Sequence, residues 1–308
     1  MSRPPDPSSV RVPGPWTHRD VSANGIRLHV AELGTGPLVL LLHGFPEFWW
    51  SWRHQLPVLA AAGRRAVAVD LRGYGDSDKP PRGYDLWTLS GDVAGLIRAL
   101  GERQADLVGH DWGGILSWCT AALHPRMVRS VAVLAAAHPR AMGQALLRDS
   151  AQRSAARYLA SFQAPWWPER GLTRDGAALV ERILRAGSGS RWCASSEFTG
   201  VARRCREAML IPAAAHCALE YYRWVGRSQL RFDGRRLSHA VDRKVRVPVL
   251  QLHGADDPYV LERTARRCAR WAGESYRYEV LPGVGHFVQQ EAPERTTALL
   301  TEFLVTGY

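Results

Sequence analysis

No apolar run in the 308 residues approaches the roughly 18 needed to cross a bilayer as a helix. The N-terminus, Met1-Ser-Arg-Pro-Pro-Asp-Pro-Ser-Ser9, lacks the apolar centre of a signal peptide, and residues 1–15 read as a flexible polar tail. A soluble cytoplasmic protein without stable membrane insertion is the expectation. Cysteine is scarce: Cys119, Cys193, Cys205, Cys217 and Cys268 are odd in number, and no two stand at zinc-knuckle or redox spacing. The pattern gives no disulfide scaffold or metal site, and all five are expected to be reduced packing thiols. Lysine is almost missing, because Lys79 and Lys244 alone stand among the 40 basic residues behind the net charge of +11. The arginines are scattered rather than gathered into a run with interleaved aromatics, and no nucleic-acid motif is present. A generic basic surface is expected, with no nucleic acid as partner. No internal repeat is visible.

The chain does hold apolar bulk, 46% hydrophobic residues and 12 Trp, enough for one large α/β domain with an insertion. Thr17 to Val21 and Ile26 to Ala31 read as strands, with Asn24-Gly25 as the hairpin turn between them. Leu38-Val-Leu-Leu-Leu42 is continuously apolar, as a strand buried on both faces should be. Strands over Ala66–Leu71, Leu107–Val108 and Val131–Ala135 follow, separated by helices over Trp49–Ala62, Leu86–Leu100 and Gly113–Leu123. That alternation implies a parallel sheet flanked by helices, with sites at the carboxyl ends of the strands. It lapses over residues 138–237, which are rich in Arg, Ala and Trp. Helical patches lie there at Arg140–Ala160, Ala177–Arg185 and Ala213–Val225. We read 138–237 as a helical cap inserted into a core of residues 16–137 and 238–308. Strands resume at Val247–Leu252 and Tyr276–Leu281, with helices near Glu262–Ala272 and Pro293–Leu304.

The stretch Asp106-Leu-Val-Gly-His-Asp-Trp-Gly-Gly-Ile115 has the form of strand, sharp turn and helix, with Asp111 at the tip. Such a turn strains its central residue, and small neighbours are needed for strand and helix to approach. The alternative is a surface Asp capping a helix. A carboxylate at the tip cannot form an ordinary acyl-enzyme, but it can attack an electrophilic sp3 carbon and form an alkyl ester. His286 stands directly after the last strand, and Asp256 or Asp257 stands after the strand before it. Nucleophile, acid and base thus follow in the chain order of the α/β-hydrolases.

His43-Gly44-Phe45-Pro46-Glu47, Gly109-His110-Asp111-Trp112-Gly113 and Gly285-His286 resemble the motifs of α/β-hydrolase-fold epoxide hydrolases, from about residue 16 to the end. The cap adds to the likeness. Tyr158 precedes Phe162-Gln163 by four residues, and Tyr222 is the centre of Tyr221-Tyr222-Arg223. Tyr221 is the packing member. The resemblance implies that Asp111 opens an epoxide while Tyr158 and Tyr222 donate to its oxygen. It implies that His286, oriented by Asp257 (three residues after Gly254) rather than Asp256, activates water. Backbone N–H groups of Phe45 and Trp112 would form the oxyanion hole. Trp112, Phe45, Pro46 and Phe287 would line the substrate pocket, and Trp166, Trp167, Trp192 and Trp224 would make an aromatic cap over an apolar channel. The partners so implied are a small apolar epoxide and water, in cofactor-independent detoxification chemistry with no metal. A homodimer is left open. His43, His110 and His253 are expected to be structural.

Haloalkane dehalogenases share much of the pattern, but Phe45 offers no side-chain donor for a halide and the paired tyrosines would be unexplained. An esterase would need Ser at 111. A non-catalytic ligand-binding protein would have no mechanistic need for all five side chains.

Overall fold

The computed structural model describes residues 3–229 and 231–307. Eight strands form one sheet: β1 (Thr17–Ala23), β2 (Ile26–Leu33), β3 (Leu38–Leu42), β4 (Arg65–Val69), β5 (Ala105–His110), β6 (Val128–Leu134), β7 (Val249–Gly254) and β8 (Tyr276–Leu281). Their spatial order is β1-β2-β4-β3-β5-β6-β7-β8. β1 and β2 pair antiparallel through Asn24-Gly25, whose positive φ angles of 48° and 78° suit a tight hairpin turn. β2 also runs antiparallel to β4, and every later pairing is parallel. β3 and β5 are buried throughout. Their apolar residues are covered by helices on both faces, which explains why β3 reads as an unbroken run.

Between β6 and β7 the described residues form helices alone, from Pro139–Arg148 to Phe232–Val241. Three of these, Ser190–Cys193, Ser196–Met209 and Phe232–Val241, lie outside the helical patches seen in the sequence. Ser196–Met209 buries Phe198, Val201, Ala202, Cys205, Ala208 and Met209, a helical stripe interrupted by arginines. Two expected helices of the core are divided. Trp49–Trp52 is a 3-10 turn followed by Gln55–Ala61, and Glu262–Arg266 gives way to a 3-10 turn over Arg267–Trp271.

The expected flexible tail is corrected beyond its first residues. Asp6 caps a 3-10 turn over Pro7–Val10, and Val10 and Val12 are buried. The Val10 carbonyl accepts a hydrogen bond from Trp49 Nε1 at 2.8 Å, and Arg11 bridges Asp20 and Asp76 at 2.6 Å. The burial of two valines and the carbonyl bond to Trp49 outweigh the Pro-rich composition around them. Met1 and Ser2 lie outside the described residues. All five cysteines are unpaired, and four are buried. Among the described residues no helix is long and apolar enough to cross a membrane.

Candidate active site

Asp111 stands between β5 and the helix Trp112–Leu123 with φ 48° and ψ −113°, outside the ordinary regions for a non-glycine residue. The neighbouring glycines make this turn possible. A Cβ on Gly109 would lie 2.1 Å from the Gly113 carbonyl oxygen, and one on Gly113 would lie 2.0 Å from that of Leu42. The backbone is pinned on both sides, by Asp111 N–H on the Leu134 carbonyl at 3.1 Å and Gly113 N–H on that of His43 at 3.0 Å. The strained residue is therefore held by its surroundings, with its side chain raised above the sheet.

Three strand ends converge on it. Phe45 N–H, after β3, donates to Asp111 Oδ2 at 2.9 Å. His286 Nε2, after β8, lies 3.7 Å from Asp111 Oδ1, and its Nδ1 lies 2.9 Å from Asp257 Oδ2, after β7. Asp257 is buried, and its other oxygen accepts from the N–H groups of Tyr259 and Val260 at 2.8 and 3.1 Å. Asp256 is exposed, so the register of this turn aims Asp257 at the ring. Burial pushes the Asp111 carboxyl up, but His286 and the Phe45 N–H more than reverse this and hold it below its usual value. Burial likewise disfavours charge on His286, yet Asp257 and Asp111 raise it well above 6.5. The two carboxylates thus favour the protonated form of the ring.

Tyr158 and Tyr222 stand on two of the helices inserted between β6 and β7. Their rings meet edge to face, with centroids 6.2 Å apart, and Tyr222 also stands edge-on to Trp112 at 4.9 Å and Phe45 at 5.5 Å. Burial, reinforced by the charge of Asp111, pushes both phenols well above 10.0 and keeps them protonated. The residues beside them tie the two segments together. Arg223 donates to the carbonyls of Phe162 and Ala164 at 3.2 and 2.7 Å and pairs with Glu169 at 2.6 Å. Gln163 returns a bond to the Tyr222 carbonyl at 3.1 Å. Tyr221 is fully buried and donates to the Arg72 carbonyl at 2.8 Å.

Other candidates fall in different places. Phe45 and Pro46 are buried beside Asp111, and Trp112 opens the elbow helix with its ring against Tyr222. Phe287, expected in the pocket wall, stands behind the base. It is wholly buried, with its ring 5.3 Å from His286, 5.6 Å from His110 and 6.4 Å from Trp192. Trp166 and Trp167 are 75% and 73% exposed, and Trp192 is buried against Phe198. His43 ties down the loop after β4, accepting from Leu71 N–H at 3.1 Å. His110 turns away from Asp111 to Glu47 at 2.7 Å and the His286 carbonyl at 2.9 Å. Buried His253 stacks its ring on Tyr278, with centroids 6.5 Å apart. Sequence reasoning missed Tyr259, which stands edge-on to His286 at 5.1 Å and donates to the cap carbonyl of Ile183 at 3.0 Å. Its position two residues after Asp257 was the available signal.

A strained carboxylate, a histidine–carboxylate pair behind it and two neutral phenols in front can perform nucleophilic substitution followed by hydrolysis. The α/β-hydrolase-fold family model matches residues 37–293. Epoxide hydrolase A of Mycobacterium tuberculosis is 34% identical over 319 residues, covering 94% of this chain and 98% of the relative. The chain belongs to the α/β-hydrolase-fold epoxide hydrolase family. Human epoxide hydrolase 4 is 31% identical over 315 residues, covering 97% of this chain and 82% of that protein. The crystal structure of epoxide hydrolase A from Mycobacterium thermoresistibile superimposes with a TM-score of 0.79 at 30% identity, covering 94% and 98% of the two chains. Membership accounts for the sheet order and the elbow; the chemistry rests on the side chains.

Proposed function

We propose that this member of the family hydrolyses an apolar epoxide to a vicinal diol through an alkyl ester on Asp111. Asp111 attacks an epoxide carbon and the C–O bond breaks. Tyr158 and Tyr222 hydrogen-bond the departing oxygen and supply its proton. Their proton is replaced from His286, so the charge lost from Asp111 is matched by the proton lost from the ring. Neutral His286 then takes a proton from water as the hydroxide adds to the ester carbonyl. Phe45 N–H, already on Asp111 Oδ2 at 2.9 Å, and Trp112 N–H stabilise the oxyanion. Collapse releases the diol and restores the Asp111 carboxylate and protonated His286. Asp257 fixes the ring and shares its charge throughout.

The observation that carries this reading is the pair of neutral phenols facing Asp111, Tyr222 buried and Tyr158 half-buried, clamped to one another through Arg223 and Gln163. A dehalogenase reading has one point in its favour, Trp112 directly after the nucleophile, whose buried indole beside Tyr222 could face a halide. It gives the phenols no work. The aromatic rings around Asp111, those of Phe45, Trp112 and Phe162, favour an apolar substrate.

A single turnover with styrene oxide in oxygen-18 water tests the route. Unlabelled oxygen in the first diol, with label entering the Asp111 peptide, is the expected result. Label passing directly into the diol, with none in Asp111, would refute the covalent step. An untouched epoxide with turnover of a haloalkane would favour the dehalogenase reading.

A further inference from the structure

We propose that Glu291 is a positioning residue for the hydrolytic step, fastening the backbone around His286 to the cap segment Ser188-Gly189. The inference rests on the ester route above and assigns Glu291 no contact with substrate. One carboxylate here gathers three backbone N–H groups. Gly189, in the cap, donates to Oε2 at 2.7 Å; Gly285 donates to the same oxygen at 2.8 Å; Phe287 donates to Oε1 at 2.9 Å. Between the last two, His286 N–H donates to the cap carbonyl of Gly187 at 2.7 Å. Three consecutive amides around the base are therefore held by one side chain and one cap carbonyl.

The contact is built for closeness. A Cβ on Gly285 would lie 2.3 Å from the Gly187 oxygen, and one on Gly189 would lie 2.5 Å from that of Gly283. Burial pushes the Glu291 carboxyl up, and the three amides pull against that shift, as expected of an anion kept indoors for its hydrogen bonds. Capping of the short helix Val288–Glu291 would explain the bond to Phe287 but not those to Gly189 and Gly285. The consequence is specific. Asp111, Phe45, Tyr158 and Tyr222 have no bond to Glu291, whereas the placement of His286 depends on it. Loosening this clasp should harm water activation and leave ring opening intact.

The test is Glu291→Gln, followed through both half-reactions and by amide hydrogen exchange. Expected are ester hydrolysis slowed at least tenfold, accumulation of alkylated Asp111 by mass, and ring opening within about twofold of wild type. Exchange should accelerate together at Gly189, Gly285 and Phe287, and also at His286, whose amide does not touch Glu291. Gly189→Ala keeps the carboxylate but pushes the cap segment off; it should reproduce the same split, and it serves if Glu291→Gln does not fold. Equal slowing of both half-reactions, unchanged rates, or faster exchange confined to Phe287 would overturn the clasp. If wild type itself forms no ester, the chemical reading fails, and the exchange pattern still decides whether Glu291 joins the two segments.

Discussion

The His286 ring lies 2.9 Å from one carboxylate and 3.7 Å from another, and the second disappears as a charge when Asp111 is esterified. With an effective dielectric of about 20, a unit charge at that distance is worth roughly 4 kcal/mol. That corresponds to about a thousandfold in proton affinity. Ring opening should therefore discharge the proton that Asp111 had helped His286 to hold, leaving a free base when water must be activated. Asp111→Asn reproduces the neutral carbonyl of the ester without any substrate. Titration of carbon-13-labelled histidine rings by NMR, with His286→Gln to assign the signal, measures the effect. In Asp111→Asn the His286 ring should bind its proton about a thousandfold more weakly than in wild type. Removing a negative charge can only weaken the hold on a proton, so the direction is fixed. If His286 titrated alike in both proteins, Asp257 alone would hold the proton and esterification could not create the base.

Tyr158→Phe and Tyr222→Phe should each slow ring opening about a hundredfold, the loss typical of one oxyanion donor, and the double variant should stop it; stopped-flow fluorescence of Trp112, 4.9 Å from Tyr222, follows the step. Unchanged rates would make both rings cap packing. Asp257→Asn should slow ester hydrolysis about ten-thousandfold and trap alkylated Asp111 visible by mass, while exposed Asp256→Asn should turn over normally. Glu197 joins the cap helix Ser196–Met209 to His54 and Arg53 of the core, and His54, then Arg53, pull its carboxyl from 4.5 down to about 2 against the cost of burial. Because the folded value is depressed, its stabilisation is present above pH 4.5 and lost as pH falls towards 2. The Tm difference between wild type and Glu197→Gln should shrink over that window, and a constant difference would refute the pairing.

The sheet was legible because burial on both faces leaves a plain mark: Leu38–Leu42 is apolar at every position and buried at every position. The elbow was legible because glycine is the residue that lets β5 and its helix touch. The tail was misread because composition says nothing of where Val10 finds Trp49, 39 residues away. The cap helix Ser196–Met209 hid a readable stripe behind Arg203, Arg204 and Arg206. The spacing after Gly254 pointed to Asp257 only through the resemblance, because which side of a tight turn faces His286 is a matter of register that neighbouring letters do not carry. Glu291 left no mark either. Its partners are backbone amides, one of them 102 residues earlier, and an amide has no letter in a sequence.

The triplet Tyr221-Tyr222-Arg223 shows why three adjacent letters could nevertheless point to a site. The helix Ala214–Ser228 turns about 100° per residue, so three successive side chains leave it in three directions. Tyr221 reaches the Arg72 carbonyl and anchors the cap to the core. Tyr222 packs its ring against Trp112 and Phe45, over the nucleophile. Arg223 reaches the carbonyls of Phe162 and Ala164 and so fixes the segment that carries Tyr158. A lysine at 223 would have one point charge to spend on two carbonyls and a carboxylate, where the guanidinium fork meets all three. The spacing of the two phenols is thus set by a residue that touches neither, and the positions flanking each tyrosine carry the geometry that the tyrosines need.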